Sequence, residues 1–478
     1  MKKLKACYFI FLLLLASAFG WGLVSHPYVA LGLLVLLGLA LFFYRYTELA
    51  LWLLIAYLPY QLALNLAPDI DLLSGRVLVL LLFLVWLIKA ARSRQAIFDK
   101  SETAAALILF LILSLLSLGV AENPVWGGRK LLVFISLFPL FFLVSQLAES
   151  GAKAKKIFLI VGAGAALSSL IAICQWASQF VFKAEAVADF WGKNVAPLFL
   201  GETFVRAVTQ DPSWFVNIGG KTMMRAIGFF PDPHSLAFYL GMTLPVILTW
   251  VIFEKKYKWQ MFAIFCVVFF ALLLTFSRGG YLGIAVALFL TIWLGWRKFR
   301  APDKLFIGSL AALALFVFFL AGTAVTSRFF SSFNLGEGSN AARLQIWRDS
   351  LNMAKISPLL GVGLGNYPLT VNFSSGYRSA ITSHNLYLDI LTEMGIFGLL
   401  AWFWFLISAA RRAWRGFSCG QGADAGLCLG LLGSLIYFFV HSFFETAIFN
   451  PTVLAFLMII TGLTYALTGK KQTVAGRQ

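Results

Sequence analysis

An arginine in a tight turn, Ser277-Arg278-Gly279-Gly280, is the sharpest candidate for chemistry in the sequence. The two glycines allow left-handed backbone and close approach, and they place one guanidinium between two apolar segments. A guanidinium presents a planar fork of donors that suits a phosphate group. Arg278 is therefore a candidate anion-binding residue, and an arginine that snorkels to lipid headgroups is the alternative.

A second arginine, Arg225, precedes the stretch Pro231-Asp232-Pro233-His234-Ser235. The prolines fix the approach to an apolar segment, and Asp232 or Ser235 can cap a helix that begins there. Arg225 can complement Arg278 around a diphosphate, and an ion pair with Asp232 is the alternative. His234 by itself is typical of a polar residue near a helix cap, and the sequence assigns no role to it.

A histidine, His384, stands at the start of another apolar run. Thr382 or Ser383 can cap the helix that follows, which predicts His384 in its first turn, near the positive end of the helix dipole. That position disfavours the imidazolium and keeps a neutral base available for an acceptor hydroxyl. A histidine that only forms an interfacial hydrogen bond is the alternative.

Two acidic residues and a glycine run flank His384 in sequence. Asp389 and Glu393 are one helical turn apart, and their spacing predicts buried, paired carboxyls that fix helix packing. The run from Gly361 to Gly365 follows no strand pattern, so it predicts a bend in the chain and not a nucleotide-binding loop.

The composition says where these residues must lie. Of the 478 residues, 60% are hydrophobic and only 12% are charged, with a net charge of +18. A soluble domain carries about 25% charged residues, so soluble enzymes, disordered chains and small disulfide-rich modules are excluded. The chain is predicted to be an all-α polytopic membrane protein. Its four histidines and five cysteines lack metal-ligand spacing, so we expect no metal or other cofactor.

Apolar runs of about 20 residues predict membrane-spanning helices. Fourteen such candidates occur, with an uncertainty of about two, at 7–24, 27–44, 48–66, 76–91, 103–120, 131–148, 157–179, 234–253, 259–276, 280–296, 304–324, 385–410, 425–446 and 451–468. The first of them has an alternative reading as a cleaved signal peptide, because Ala16-Ser17-Ala18 resembles a cleavage site.

Basic residues alternate between the two sides of the predicted spans. If the N-terminus is cytoplasmic, these basic stretches all fall on the cytoplasmic side: 89–94, 154–156, 254–258, 296–300, 411–415 and 469–471. Lysine and arginine are in excess in cytoplasmic loops. The pattern predicts both termini inside the cell and Arg225, Arg278 and His384 together at the outer membrane surface.

Two predicted outer segments are too long to be turns. The sequence divides into N-terminal spans at 1–179, a first long segment at 180–233, central spans at 234–324, a large loop at 325–384 and C-terminal spans at 385–478. Within the large loop, apolar residues recur at helical spacing over 343–356, which predicts an amphipathic helix at the membrane surface.

Together the motifs resemble the signature of the O-antigen ligase and polymerase superfamily. The resemblance rests on RLQIWRDSLNMAKISPLLGVGLGNY at 343–367, SHNLYLDILTEMGIFGLLAW at 383–402, FSRGGYLG at 276–283 and RAIGFFPDPHSLAFYL at 225–240. It covers about 220–410. Ligases of this family usually show about twelve spans, whereas this chain has fourteen candidates, so the resemblance supports a reaction class better than a particular acceptor.

The resemblance implies a metal-independent glycosyltransferase of the GT-C type in the bacterial inner membrane. Such proteins move a glycan from undecaprenyl pyrophosphate to an acceptor hydroxyl on the periplasmic side. By this likeness His384 matches the base for the acceptor hydroxyl, and Arg278 and Arg225 match the residues that hold the pyrophosphate.

Further candidates for substrate binding are Arg343, which matches an arginine before a family tryptophan, and Arg206 and Arg378 in the two long segments. The implied partners are the lipid-linked donor, a lipid A-core or a growing glycan as acceptor, and membrane lipids; nucleic acid is not expected. Ligase is the preferred reading. A polymerase, a protein O-oligosaccharyltransferase, and a transporter of a polyprenyl lipid or an anion are the alternatives.

Overall fold

The structure, a computed structural model, describes residues 27–67, 70–93, 101–148, 150–210, 213–218, 220–254, 256–320, 338–376 and 381–475. The predicted span at 7–24 and the candidate Arg378 lie outside these residues. In chain order, the helices are α1 Pro27–Arg45, α2 Thr47–Tyr57, α3 Ser74–Arg92, α4 Glu102–Ser117, α5 Pro124–Leu137, α6 Pro139–Leu147, α7 Gly151–Phe182, α8 Ala184–Phe190, α9 Ala196–Leu200, α10 Glu202–Gln210, α11 Pro233–Phe253, α12 Lys258–Leu274, α13 Arg278–Gly295, α14 Ala301–Leu320, α15 Gly338–Ile356, α16 Tyr367–Val371, α17 Leu386–Cys419, α18 Gly422–His441 and α19 Pro451–Ala475.

Nine stretches of helix among the described residues are long and apolar enough to cross a bilayer. They are Ser74–Arg92, Glu102–Val120, Pro124–Leu147, Gly151–Phe182, Pro233–Phe253, Arg278–Gly295, Leu386–Cys419, Gly422–His441 and Pro451–Thr468. Leu31–Arg45, Thr47–Tyr60 and Lys258–Leu274 are apolar helices of 10–17 residues. The prediction of an all-α polytopic membrane protein is confirmed.

The chain divides into two compact units. One comprises Met1–Leu53 and Leu81–Ile97; within its described part, Lys89 donates to the Tyr44 carbonyl at 3.0 Å and to the Thr47 hydroxyl at 2.9 Å. The other comprises Leu54–Leu80 and Phe98–Gln478. All the described candidate site residues lie in this second unit.

Several spans begin at short polar side chains that accept an N–H from the first helical turn. Ser101, Asn123, Ser150, Asp232 and Ser277 fill this position for α4, α5, α7, α11 and α13. The first N–H groups of a helix have no partner within the helix, so such caps stabilise its start. The predicted cap at Asp232 is confirmed, since its carboxylate accepts from the Ser235 N–H at 2.8 Å.

Helices α11 and α18 form the centre of the second unit, and small residues bring them together. A Cβ on Gly241 would lie 1.9 Å from the Tyr437 ring, and one on Gly433 would lie 2.6 Å from Pro245. Small residues allow membrane helices to approach closely and gain van der Waals contact. This packing fixes the end of α18, and hence the loop after it, against the start of α11.

Two features of the fold differ from the sequence prediction. The span predicted at 48–66 is wrong at its end: a 3₁₀ turn at Leu58–Tyr60 follows α2, and an antiparallel hairpin, β1 Ala63–Ala67 with β2 Ile70–Leu73, comes next. Pro59 ends the helix because proline cannot continue the helical hydrogen bonds. The first long segment also contains a hairpin, β3 Phe215–Ile218 with β4 Lys221–Met224, after three short α-helices and a π-helix at Trp191–Val195.

The long helix α17 is broken at Gly395, which has φ 68°. The break is filled by the glycine run: Val362 N–H donates to the Thr392 carbonyl at 2.8 Å, and Ile396 N–H donates to the Pro358 carbonyl at 2.8 Å. Backbone groups within a membrane need such partners. The predicted bend at 361–365 is confirmed, and it packs directly on this break.

The two carboxyls of α17 are buried as predicted, but the pairing of Asp389 with Glu393 is wrong. Glu393 forms an ion pair with Lys130 at 2.7 Å. Asp389 accepts from the Ser383 N–H at 2.9 Å and from the Thr446 hydroxyl. Two negatively charged carboxylates repel each other, so each of them is stabilised by separate hydrogen-bond donors.

Candidate active site

A buried carboxylate, Glu445, organises the candidate site. It lies in the loop between α18 and α19, and its side chain is 13% exposed. Three residues that are distant in sequence converge on it: His384 Nδ1 at 3.0 Å, Arg343 Nη2 at 3.4 Å and His234 Nε2 at 3.5 Å. These four residues are called the Glu445 cluster below.

The groups that face Glu445 decide its charge. Burial by itself raises the pKa of this carboxyl, but His234, His384 and Arg343 outweigh burial and hold the pKa well below its usual value. Glu445 is therefore ionised at neutral pH. An ionised carboxylate can only accept, so the His384 nitrogen that faces it must be the donor.

His384 lies just before α17 and not within its first turn, so that part of the sequence prediction is wrong. Asn385 caps the helix by accepting from the N–H groups of Tyr387 and Leu388. His384 itself has φ 50°, a left-handed conformation that is rare for a residue with a side chain. The cap at Asn385 leaves the imidazole outside the helix, where it turns toward Glu445.

The electrostatic environment of His384 also differs from the expectation. The predicted position at a helix start would disfavour the imidazolium. Instead, the negative charge of Glu445 raises the pKa of His384 above its usual value, in spite of partial burial. Its side chain remains 37% exposed. His384 is thus an oriented and strengthened base that solvent can reach.

The helix predicted over 343–356 is confirmed as part of α15. Its first turns deliver two contacts to the site. Arg343 reaches Glu445, and Trp347, four residues later on the same face, donates from its indole nitrogen to the Ser383 carbonyl at 3.0 Å. The large loop therefore contributes a cation to the cluster and contacts the residue next to His384.

A chain of hydrogen bonds connects the cluster to the SRGG turn. His234 Nδ1 lies 2.9 Å from the Ser277 hydroxyl, which lies 3.3 Å from His441 Nε2. His441 Nδ1 lies 3.0 Å from the Tyr437 hydroxyl, and Tyr437 donates its own proton to the Ala237 carbonyl. His441 must therefore donate from Nδ1 and accept at Nε2. Ser277, which caps α13, is fixed by this chain.

Arg278 is the first residue of α13, directly after Ser277, and is half-buried. The turn packs on the end of α18: a Cβ on Gly279 would lie 2.9 Å from the His441 ring and 2.7 Å from Phe444 Cβ. Phe444 is the neighbour of Glu445 in sequence. The glycine is needed for close approach, and this approach brings the Arg278 turn to the loop that carries Glu445.

Arg225 is buried, at 7% exposure, beside the same turn. Its Nε donates to the Thr275 carbonyl at 2.7 Å, and its Nη1 donates to the Ser213 carbonyl at 3.0 Å. Gln179 on α7 holds the adjacent strand β4 by bonds to both backbone groups of Met224. Arg225 thus contacts Thr275, which lies three positions before Arg278 in the sequence. The Arg225 guanidinium is fixed by these carbonyl groups.

The remaining candidates do not join the cluster. Arg206 lies on the exposed α10, where its side chain is 78% exposed and faces Glu202 at 3.8 Å. Arg378 is outside the described residues. Within the part of the chain that the structure describes, no three metal-ligating side chains are close enough to hold a metal ion.

Glu445 and His441 are the functional candidates that the sequence analysis missed, and it assigned no role to His234. Glu445 was counted within the apolar run 425–446, and 61 positions separate it from His384. A signal was present, because the alternation of basic residues puts the end of that run on the same side as His384. His441 and Glu445 in the segment HSFFE could have been found in this way.

Comparisons with known proteins find one family over part of the chain. Residues 236–403 match the sequence model of a protein family described as O-Antigen ligase. The exopolysaccharide production protein ExoQ of Rhizobium meliloti (strain 1021) is 25% identical over 257 residues, which are 49% of this chain and 57% of that relative. The chain therefore spans little more than half the length of this relative. The resemblance to the O-antigen ligase and polymerase superfamily is confirmed.

Proposed function

We propose that this chain belongs to the O-antigen ligase and polymerase superfamily and is a glycosyltransferase of the GT-C type. It transfers a glycan from undecaprenyl pyrophosphate to a hydroxyl of lipid A-core at the periplasmic face of the bacterial inner membrane, without a metal ion. The family match over 236–403 supports the reaction class. The alternation of basic residues supports cytoplasmic termini and a site at the outer surface.

The pair of His384 and Glu445 is the observation that carries the proposal. His384 Nδ1 faces Glu445, and among the described residues its Nε2 has no hydrogen-bond partner. A carboxylate that holds one ring nitrogen protonated leaves the other as a base with fixed orientation. This is the arrangement that an acceptor hydroxyl requires, and the side chain is exposed enough for an acceptor to reach it.

The proposed reaction uses this geometry. His384 Nε2 takes the proton of the acceptor hydroxyl as its oxygen bonds to the anomeric carbon of the donor glycan. The bond from that carbon to the pyrophosphate oxygen breaks, and undecaprenyl pyrophosphate leaves with the bonding electrons. Arg278 and Arg225 stabilise the charge on the leaving group. Loss of one preorganised donor of this kind costs about 3 kcal/mol or more in other enzymes.

A polymerase is the second candidate, because the matched relative is named as an exopolysaccharide production protein. In this case the acceptor hydroxyl is on a growing glycan and the same base serves. A protein O-oligosaccharyltransferase would differ only in its acceptor. A transporter would bind the lipid or an anion without breaking a bond.

Purified protein in lipid, given an undecaprenyl-pyrophosphate-linked repeat, separates these candidates. The ligase proposal predicts no lengthening with donor alone and transfer when lipid A-core is added. Lengthened chains with donor alone would establish the polymerase. An unchanged donor under both conditions would contradict both and leave the protein acceptor or the transporter.

A further inference from the structure

One buried carboxylate outside the Glu445 cluster contacts both segments that form it. Asp389, on the first turn of α17, is 3% exposed. Its Oδ1 accepts from the Ser383 N–H at 2.9 Å, and its Oδ2 accepts from the Thr446 hydroxyl. Ser383 and Thr446 are the immediate neighbours of His384 and Glu445.

The two donors come from parts of the chain that are otherwise far apart. Thr446 belongs to the loop after α18, and Ser383 precedes α17. A second bond ties the same segments, from the Leu386 N–H to the Ser442 carbonyl at 2.9 Å. Packing of the helices alone does not require a carboxylate that binds one residue on each side of the pair His384 and Glu445.

We propose that Asp389 is a positioning residue that aligns the His384 imidazole with the Glu445 carboxylate through its bonds to Ser383 and Thr446. Site residues must be held within about 0.5 Å of their productive geometry. The left-handed backbone of His384 needs surrounding bonds to maintain it. Asp389 accepts the bond from Ser383, the residue before His384. It also accepts the bond from Thr446, which holds the neighbouring Glu445 in position relative to His384.

The alignment has an electrostatic readout. His384 is faced by Glu445 from the loop, by Arg343 from α15 and by Asp389 from its own helix, and Glu445 is faced in turn by His234 from α11. If the bond to Thr446 is removed, Glu445 can move away from the imidazole. The imidazolium then loses its nearest negative charge, and His384 should release its proton at a lower pH.

Thr446→Val is the variant of choice, because it removes one hydroxyl and keeps the branched shape, whereas Asp389→Ala leaves buried donors unpaired and endangers folding. Thr446→Ser restores the hydroxyl. Thr461→Val is the matched control, since Thr461 is a buried threonine whose hydroxyl bonds to carbonyls of its own helix. All three changes are made in the full chain.

The first readout does not depend on turnover. Diethyl pyrocarbonate modifies the unprotonated imidazole, and mass spectrometry of the peptide with His384 gives the pH midpoint of its modification. Thr446→Val should lower this midpoint by about half a pH unit or more. Thr446→Ser and Thr461→Val should leave it at the wild-type value.

The second readout rests on the proposed function and uses transfer from the undecaprenyl-pyrophosphate-linked repeat. Thr446→Val should lower kcat about tenfold without a change in KM for the donor, because misalignment affects the reacting atoms and not donor binding. An unchanged midpoint in Thr446→Val, or an equal change in Thr461→Val, would overturn the role of Asp389. Absence of transfer by the wild type would refute the proposed function and leave the midpoint test intact.

Discussion

Replacement of Glu445 by glutamine keeps the shape of the side chain and removes the charge on which the Glu445 cluster depends. Both Glu445 oxygens lie within hydrogen-bond distance of His384 Nδ1, at 3.0 and 3.2 Å, and one of them also faces Arg343 at 3.4 Å. Glutamine retains one acceptor oxygen and presents an NH₂ group to donors. The imidazole thus loses the charge that raises its pKa, and the charge-assisted bond that orients it becomes at best a weaker bond to one neutral oxygen.

The size of the effect follows from the lost bond. A hydrogen bond to a charged group contributes about 1.5–3 kcal/mol, and each 1.4 kcal/mol is about tenfold in rate. Loss of the oriented pair in Glu445→Gln should lower the plateau value of kcat by about ten- to a hundredfold. The base must be neutral to act, so the rate rises with pH through the pKa of His384.

The pH dependence therefore has a definite sign. In the wild type the midpoint of the kcat profile should lie above 6.5, the ordinary value for histidine, because Glu445 raises the pKa of His384. In Glu445→Gln the midpoint should fall to about 6.5 or lower, since burial and Arg343 then act on the imidazole without the opposing charge.

The assay is transfer from the lipid-linked repeat, measured from pH 5.5 to 9. Glu254→Gln is the matched control, because Glu254 is also paired with a cation, Lys155 at 2.8 Å, and is not part of the cluster. It should behave as the wild type. If Glu445→Gln leaves both the midpoint and the plateau unchanged, Glu445 does not act on the base and the reasoning is refuted.

Further changes have separate expected outcomes. Arg278→Ala should lower kcat/KM for the pyrophosphate donor by about a hundredfold, whereas Arg206→Ala, in an exposed pair, should stay within about twofold of wild type, both measured in the transfer assay. Gly395→Ala should destabilise the protein by about 3 kcal/mol, read by thermal unfolding, because its Cβ would lie 2.2 Å from the Leu359 carbonyl oxygen at a positive φ. In the wild type, the stability contributed by protonated His384 is complete below pH 6.5, the ordinary histidine value. It is lost as the pH rises through the raised pKa of His384. Tm should therefore fall over that pH window in the wild type and change less with pH in the Glu445→Gln variant.

Gly119→Ala is the control for the glycine prediction, since a Cβ at this position meets no atom within 4 Å. It should unfold at the wild-type temperature. Equal unfolding temperatures for Gly395→Ala and wild type would show that the break in α17 tolerates a side chain.

Local features of the fold were predictable because they depend on neighbouring residues. Apolar runs predicted the spans, the cap at Asp232 followed from a short acidic side chain before a proline, and the helix over 343–356 followed from its period. The assignment of the cap before α17 failed for a local reason as well. Three residue types that cap helices well precede α17, namely Thr382, Ser383 and Asn385. Asn385 is the cap in the structure, where it accepts from two N–H groups.

The composition of the site was less predictable, because it depends on long-range packing. The pairing of His384 with Glu445 joins positions 61 apart, and it depends on contacts between the start of α17 and the end of α18, such as the bond from the Leu386 N–H to the Ser442 carbonyl. Glu445 raises the pKa of His384. The sequence analysis considered only the helix dipole, which would lower this pKa. Asp389 was predicted as a packing residue because its two donors, Ser383 and Thr446, cannot be identified from helical spacing.

Transfer by His384→Ala is the most direct test of the central claim that His384 is the base of a glycan transfer. The protein is given the undecaprenyl-pyrophosphate-linked repeat with lipid A-core, and its initial rate is compared with that of the wild type at equal folded concentration. We expect a loss of about a hundredfold or more, since general base catalysis contributes about 10²–10⁴, while the variant still unfolds in one cooperative transition above the assay temperature. A rate within threefold of wild type would contradict the account.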